Sequence, residues 1–213
     1  MNKTFFITGI GTGVGKTLAS AILAEALEAD YWKPVQAGFA DGTDADTVRD
    51  LVSNPHTIVH PELYRLLLPA SPHIAAREEG LQIALPKIVD AFHHIRRRGD
   101  RFLVIEGAGG LLVPLNEQDT MLDLIRGIGA EVILVSRNYL GSINHSLLTA
   151  RVLRDAAIPV RGLIFSDEFM AYENDIASWT GLPVLGSIPA ASVIDRTFVS
   201  TIAQQMRPQL TGI

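Results

Sequence analysis

Thr8-Gly9-Ile10-Gly11-Thr12-Gly13-Val14-Gly15-Lys16-Thr17 follows the apolar run Phe5-Phe6-Ile7 and leads into Leu18-Ala19-Ser20-Ala21-Ile22-Leu23-Ala24. The order is strand (Phe5–Thr8), glycine-rich turn, then helix (Lys16–Glu28). Glycines let backbone N–H groups curl around phosphate oxygens, and the N-terminus of the new helix adds its dipole. Lys16 is placed to reach the terminal phosphates of a nucleotide, and Thr17 to offer its hydroxyl to Mg²⁺. The strict pattern G-x-x-x-x-G-K-[ST] needs glycine where Ile10 stands, because five residues separate Gly9 from Gly15. The strand before and the helix after still make this a phosphate-binding loop.

Beyond this stretch, short apolar runs alternate with longer helical patterns. Strands are expected at Phe5–Thr8, Tyr31–Pro34, Phe102–Glu106, Val132–Ser136, Gly162–Ser166 and Val184–Ser187. Helices are expected near Lys16–Glu28, Asp44–Val52, Leu85–Arg98, Ser142–Asp155, Tyr172–Thr180 and Val193–Arg207. Near-continuous Val/Ile/Leu strands separated by helices predict an α/β fold of the P-loop nucleotide-hydrolase type. Its sheet is mostly parallel, with helices on both faces. Right-handed crossovers bring the strands' carboxyl ends, and the ligand site, to one edge. Residues 1–213 read as a single domain. The segment Asn54–Gly80, rich in Pro and His, is the least regular and is expected to form a flap.

Composition narrows the function. Of 213 residues, 47% are hydrophobic and 19% charged, which suits a compact enzyme and argues against disorder. A net charge of −5 gives no basic field for nucleic acid or an anionic membrane. The one dense basic cluster, Arg96-Arg97-Arg98, closes a helix, where cations complement the dipole. With no cysteine, disulfides, thiolate metal sites and cysteine nucleophiles are all excluded. The apolar run after Met1-Asn2-Lys3 is too short for a secretion signal, and no stretch approaches the ~20 apolar residues that span a bilayer. A cytoplasmic protein is expected.

Phosphoryl transfer needs metal-bound carboxylates and fixed cations at strand ends beside the loop. Glu106 ends the apolar run Phe102-Leu103-Val104-Ile105, and Gly107-Ala108-Gly109-Gly110 is expected to open a second backbone-accessible loop. Lys33, next to Pro34 at the exit of the second strand, is expected at the same edge as the phosphate loop. Asp44 opens a helix, where sequence alone does not separate a ligand from a cap. His56 and His60 are four apart but flanked by Pro55 and Pro61, with no intervening glutamate, so no metal site is expected there. His93 and His94 point to different faces of a helix and read as surface residues.

Thr8–Thr17, Tyr31–Gly38, Thr43–Asp46, Ser71-Pro72-His73, Glu106–Gly110 and Leu140-Gly141-Ser142-Ile143-Asn144-His145 stand in the order and spacing of the dethiobiotin synthetase family. The chain resembles that family from its first strand to Ile188-Pro189, including the one-residue extension of the phosphate loop. The resemblance implies an ATP-dependent cyclo-ligase that joins CO₂ to 7,8-diaminopelargonate and releases dethiobiotin, ADP and phosphate, a step of biotin synthesis. It implies Lys16 and Lys33 as catalytic lysines, and Thr17, Asp44 and Glu106 as Mg²⁺ ligands. It implies that nucleotide is contacted by Gly13, Val14, Gly15, Lys16, Thr17 and Leu18, and by Glu106, Gly107, Ala108 and Gly109. The base is assigned to Ser166, Asp167, Pro189, Ala190 and Ala191. Substrate is assigned to Lys33, Ala37 and the backbone of Gly141, Ser142, Ile143 and Asn144, the last four acting across a homodimer interface.

Three departures from the family pattern stand out. Gly11 and Gly13 replace acidic residues, Ala37 replaces a Ser/Thr, and Ser166-Asp167 replaces Asn-Asp. Among relatives in the same fold group, partitioning-type ATPases carry a signature lysine at the position of Gly11, and cobyrinate-type amidases add a cysteine-bearing domain. A non-catalytic regulatory nucleotide binder would not need Lys16, Lys33, Asp44 and Glu106 together.

Overall fold

The computed structural model describes residues 4–40 and 42–210, so Met1-Asn2-Lys3 of the amino-terminal run lie outside it. The strands are β1 (Thr4–Gly9), β2 (Asp30–Trp32), β3 (Val35–Ala37), β4 (Val59–His60), β5 (Tyr64–Leu66), β6 (Leu103–Gly110), β7 (Glu131–Arg137), β8 (Val160–Ser166) and β9 (Val184–Ile188). The helices are α1 (Lys16–Leu27), α2 (Asp44–Leu51), α3 (Pro72–Glu78), α4 (Leu85–Arg97), α5 (Met121–Ile128), α6 (Ser142–Asp155), α7 (Glu173–Thr180) and α8 (Arg196–Leu210). Seven strands form one sheet in the order β4-β2-β6-β1-β7-β8-β9, and β3 pairs with β5 beside it. Among the described residues these strands all pair in parallel.

Strand alternation sorts the core into two layers. Phe5 and Ile7 of β1 pack with Ile22 and Leu23 of α1 and with Val199 and Met206 of α8. Phe6, between them, packs on the opposite face with Ile88 and Phe92 of α4 and with Leu124 and Ile125 of α5. The central strand is therefore fully buried, and its carboxyl end is fixed to the sheet on both sides by β6 and β7. Among the described residues no helix is long and apolar enough to cross a membrane.

The structure departs from the sequence reading at identifiable places. The second strand ends at Trp32, and the chain resumes as β3 after Pro34, which has no N–H to donate to a ladder. The stretch expected as a loop at Gly107–Gly110 continues β6, with Gly110 paired to Gly9 of β1. A Cβ on Gly107 would lie 2.7 Å from Cε1 of Phe6, so the residue's lack of side chain permits this close crossing. Helix α5 lies where no helix is expected from the sequence; Thr120 and Asp123 cap it reciprocally. Helix α8 begins at Arg196 rather than Val193, because Asp195 accepts the Phe198 N–H at 2.8 Å and sets the first turn. The segment 54–80 is more regular than expected, holding β4, β5 and α3. Arg96 and Arg97 do lie in the last turn of α4.

Candidate functional site

The phosphate loop joins β1 to α1 with Gly13 and Gly15 at positive φ, 71° and 89°. Its carbonyls are held from outside by neighbouring strand ends. Ser166 Oγ donates to the Val14 carbonyl at 2.9 Å, and Arg137 Nη1 reaches the Gly13 carbonyl at 3.5 Å. A Cβ on Gly15 would stand 3.2 Å from Ser166 Oγ, on a backbone that L side chains rarely adopt. Lys16 is buried and donates to the Gly11 carbonyl at 2.9 Å. Burial, aided by the nearby Lys33 charge and opposed by Glu106 and Asp44, lowers its pKa to about 8.

Three further elements converge on Thr17. Glu106 comes from β6, Lys33 from the end of β2, and Asp44 from the first turn of α2. Thr17 Oγ1 is 2.6 Å from Asp44 Oδ1 and 2.9 Å from Glu106 Oε1. Lys33 Nζ contacts Asp44 Oδ2 and lies 3.1 Å from Glu106 Oε1. Tyr31 donates from its buried hydroxyl to Glu106 Oε2 at 2.8 Å. The local question at Asp44 is settled by its neighbours: Thr43 and Asp46 form the reciprocal cap of α2, so the Asp44 carboxylate is not the cap and faces the site. Burial opposes the Lys33 charge, but Glu106 and Asp44 outweigh it and hold the ammonium above the ordinary lysine range. Burial likewise opposes ionisation of Asp44, yet Lys33 and the hydroxyl of Thr17 hold its carboxyl below the ordinary range. Burial and the Glu106 charge push the Tyr31 phenol well up, so it stays a donor.

Glu106, Asp44 and Thr17 offer hard oxygen donors, the set Mg²⁺ prefers while keeping waters and phosphate oxygens in its shell. Among the described residues no cluster of three or more His, Cys, Asp and Glu could hold a metal by itself. His56 lies 3.9 Å from Glu28, and His60 lies 3.6 Å from Asp30; they form no shared site. His93 and His94 are exposed.

A cavity of about 1040 Å³ contains Gly13, Gly15, Lys16, Thr17, Leu18, Lys33, Ala37, Asp44, Glu106, Ala108 and Gly109. The segment from Pro69 to Pro72 forms one wall, so the irregular stretch does border the site, and Ile194 stands in another wall. Ser166, Asp167, Pro189, Ala190, Ala191 and Gly141–Asn144 do not line this cavity. Val14 and Gly107 are buried and lie outside its lining as well. Asp167, at φ 68°, accepts from Arg137 Nη2 at 3.0 Å and from the Glu168 N–H at 2.9 Å, so both its oxygens are engaged. At the start of α6, Ser142 is buried and its N–H donates to the Tyr139 carbonyl at 2.9 Å. That N–H is not available to a carboxylate, and the first-turn donors left are those of Ile143 and Asn144. Tyr31 and Arg137 are not among the site residues expected from the sequence. Arg137 was findable by the argument applied to Lys33, a cation at a strand's carboxyl end; Tyr31 carried no local signal.

A family model described as an AAA domain matches residues 3–197. The ATP-dependent dethiobiotin synthetase BioD of Cytophaga hutchinsonii is 47% identical over 205 residues, covering 96% of this chain and 97% of that protein. The enzyme of the same name from Christiangramia forsetii is 44% identical over 214 residues, covering 100% of both. Among solved structures, the MinD cell division protein of Aquifex aeolicus aligns at TM-score 0.62 and 12% identity, covering 99% of this chain and 97% of that one. A ParA family ATPase from Chlorobium tepidum aligns at TM-score 0.59 and 12% identity, covering 100% and 93%. At those identities the two structures speak for the P-loop α/β fold alone. Full-length identity to the synthetases reaches further: this chain belongs to the ATP-dependent dethiobiotin synthetase family.

Proposed function

We propose that this chain closes the ureido ring of dethiobiotin from 7,8-diaminopelargonate, CO₂ and ATP, releasing ADP and phosphate. One observation carries the reading: Lys33, Asp44, Glu106 and Thr17 converge beside the Lys16 loop in one cavity. A substrate amine captures CO₂ as a carbamate, and a carbamate oxygen attacks the γ-phosphorus as the bond to ADP breaks. The second amine then attacks the carbonyl of the mixed anhydride, closing the ring and expelling phosphate. No protein nucleophile is needed, so the residues position and stabilise charge. Lys16 holds the terminal phosphate oxygens, and Lys33 faces the charge that develops between carbamate and γ-phosphate. Thr17, Asp44 and Glu106 would hold Mg²⁺, which when bound would supply positive charge against the nucleotide's phosphates. Ala108 and Gly109, with Gly13 and Gly15–Leu18, border the nucleotide; Ala37 borders the substrate without a side-chain hydrogen bond.

We read the working form as a homodimer in which the start of α6 meets the partner's site. In support, Asn144 and Leu148 share an exposed face of α6, and Leu140 just before it is 82% exposed. A cytoplasmic location fits a chain without cysteine. Incubation of purified protein with diaminopelargonate, bicarbonate, Mg²⁺ and ATP, read by mass spectrometry, is expected to yield dethiobiotin. ATP hydrolysis with no ring-closed product would assign a nucleotide-switching role instead.

A further inference from the structure

Glu106 is almost wholly buried, 1% exposed, and its two oxygens face different neighbours. Oε1 is turned to Thr17 at 2.9 Å and Lys33 at 3.1 Å. Oε2 is turned the other way and accepts from the Tyr31 hydroxyl at 2.8 Å. Tyr31 is itself fully buried in β2, a strand paired to β6, so the donor is as immobile as the sheet. A carboxylate rotates easily about its last torsion unless something holds one oxygen. Here a neutral donor from the adjacent strand does so.

We propose that Tyr31 is a positioning residue that restricts Glu106 to one working oxygen, Oε1, in the divalent-cation site. The inference rests on the reading of Glu106 as a metal ligand. A hydrogen-bonded ligand meets the ion in a set orientation, and partners of this kind typically contribute 10- to 100-fold in metal affinity or activity. With Oε2 engaged, Glu106 binds through a single oxygen. That leaves the shell open for phosphate and water, as a Mg²⁺ site for a nucleotide requires. Tyr31 does not line the cavity, so it acts through Glu106.

The test uses the full chain with Mn²⁺ as the probe and a non-hydrolysable ATP analogue, free Mn²⁺ being counted by electron paramagnetic resonance. Tyr31→Phe removes one oxygen atom and keeps the packed ring. It is expected to weaken Mn²⁺ binding about 10-fold. Glu106→Gln is expected to weaken it at least as much, and adding Tyr31→Phe to Glu106→Gln should then change nothing more. A lower melting temperature for Tyr31→Phe with unchanged Mn²⁺ affinity would make the tyrosine a packing residue and overturn the inference. If Glu106→Gln leaves Mn²⁺ affinity intact, the metal-ligand reading itself fails. Should Tyr31→Phe not fold, comparison of Glu106→Gln with the double variant decides, since neither buries an unpartnered charge. Equal affinities support the inference, and a further loss in the double variant overturns it.

Discussion

Lys33 is the residue on which the proposed chemistry turns. It is a buried ammonium balanced by two carboxylates, and it stands at the edge where β2 opens toward the phosphate loop. A fixed charge donor of this kind acts where charge develops, so Lys33→Ala is expected to cut kcat by about 10²-fold or more. KM for ATP should change far less, and steady-state kinetics separates the two. Near-normal turnover would remove Lys33 from the mechanism. Ser166 and Asp167 make the opposite case, since their side chains already have partners. The Ser166 hydroxyl supports the Val14 carbonyl, and the Asp167 carboxylate is taken by Arg137 and Glu168. Neither side chain retains the paired donor and acceptor with which an amide reads adenine. The kcat/KM values for ATP, GTP and CTP are therefore expected to fall within about tenfold, the discrimination of one or two neutral hydrogen bonds. Ser166→Asn should favour ATP. Strict ATP selectivity in the unmodified chain would show that the base is read elsewhere.

Among the elements, α2 and α5 share a device with different consequences. In α2 the reciprocal cap of Thr43 and Asp46 frees Asp44, one residue on, to face Thr17 and Lys33. In α5 the same cap, from Thr120 and Asp123, closes a helix whose Leu124 and Ile125 fill the core beneath β6. The Thr120 N–H and hydroxyl reach Asp123 Oδ2 at 2.9 and 2.7 Å. These bonds, the backbone one first, hold the Asp123 carboxyl below its ordinary value of 3.8. The sign follows from proton binding: between the folded and unfolded pKa values the unfolded chain binds more protons, so stability rises with pH there. The contribution is complete above the unfolded value and is lost as pH falls through the folded one. Asp123→Asn is expected to lower stability at pH 7 and to converge on the unmodified chain in strong acid. Urea titrations at both pH values check this; a constant difference would mean that the charge on Asp123 is irrelevant to the cap.

For the whole molecule, the question is whether one chain completes its own site. The start of α6 does not line the cavity, although the family resemblance gives it the substrate's distal carboxylate. Asn144 is exposed in the first turn, where aspartate is favourable for the helix but would repel a bound carboxylate. Asn144→Asp is therefore expected to raise KM for diaminopelargonate without loss of stability. Mixing Asn144→Asp subunits with Lys16→Ala subunits sharpens the test. If sites are shared, one site of each heterodimer carries both lesions and the other neither, so activity at low substrate should return. Subunit exchange without recovery would mean that each chain builds its site alone.

By itself the sequence determined the phosphate loop, the alternation of strand and helix, and the place of Lys33 at the exit of β2; Glu106, expected to end its strand, lies inside β6, which runs on to Gly110. Those features are local: glycine spacing, one strand's apolar run and the residue that ends it act within a few consecutive positions. A cap such as Thr120–Asp123 was equally local and could have been read. What only the tertiary structure decided is which distant groups meet. Tyr31 and Glu106 are 75 positions apart, and Ser166 and Val14 are 152 apart. The order β2-β6-β1-β7-β8 makes them neighbours by placing late strands on both sides of the first one. Strand order follows from how whole faces bury against α1, α4, α5 and α8, a property of the packed sheet that no single segment encodes.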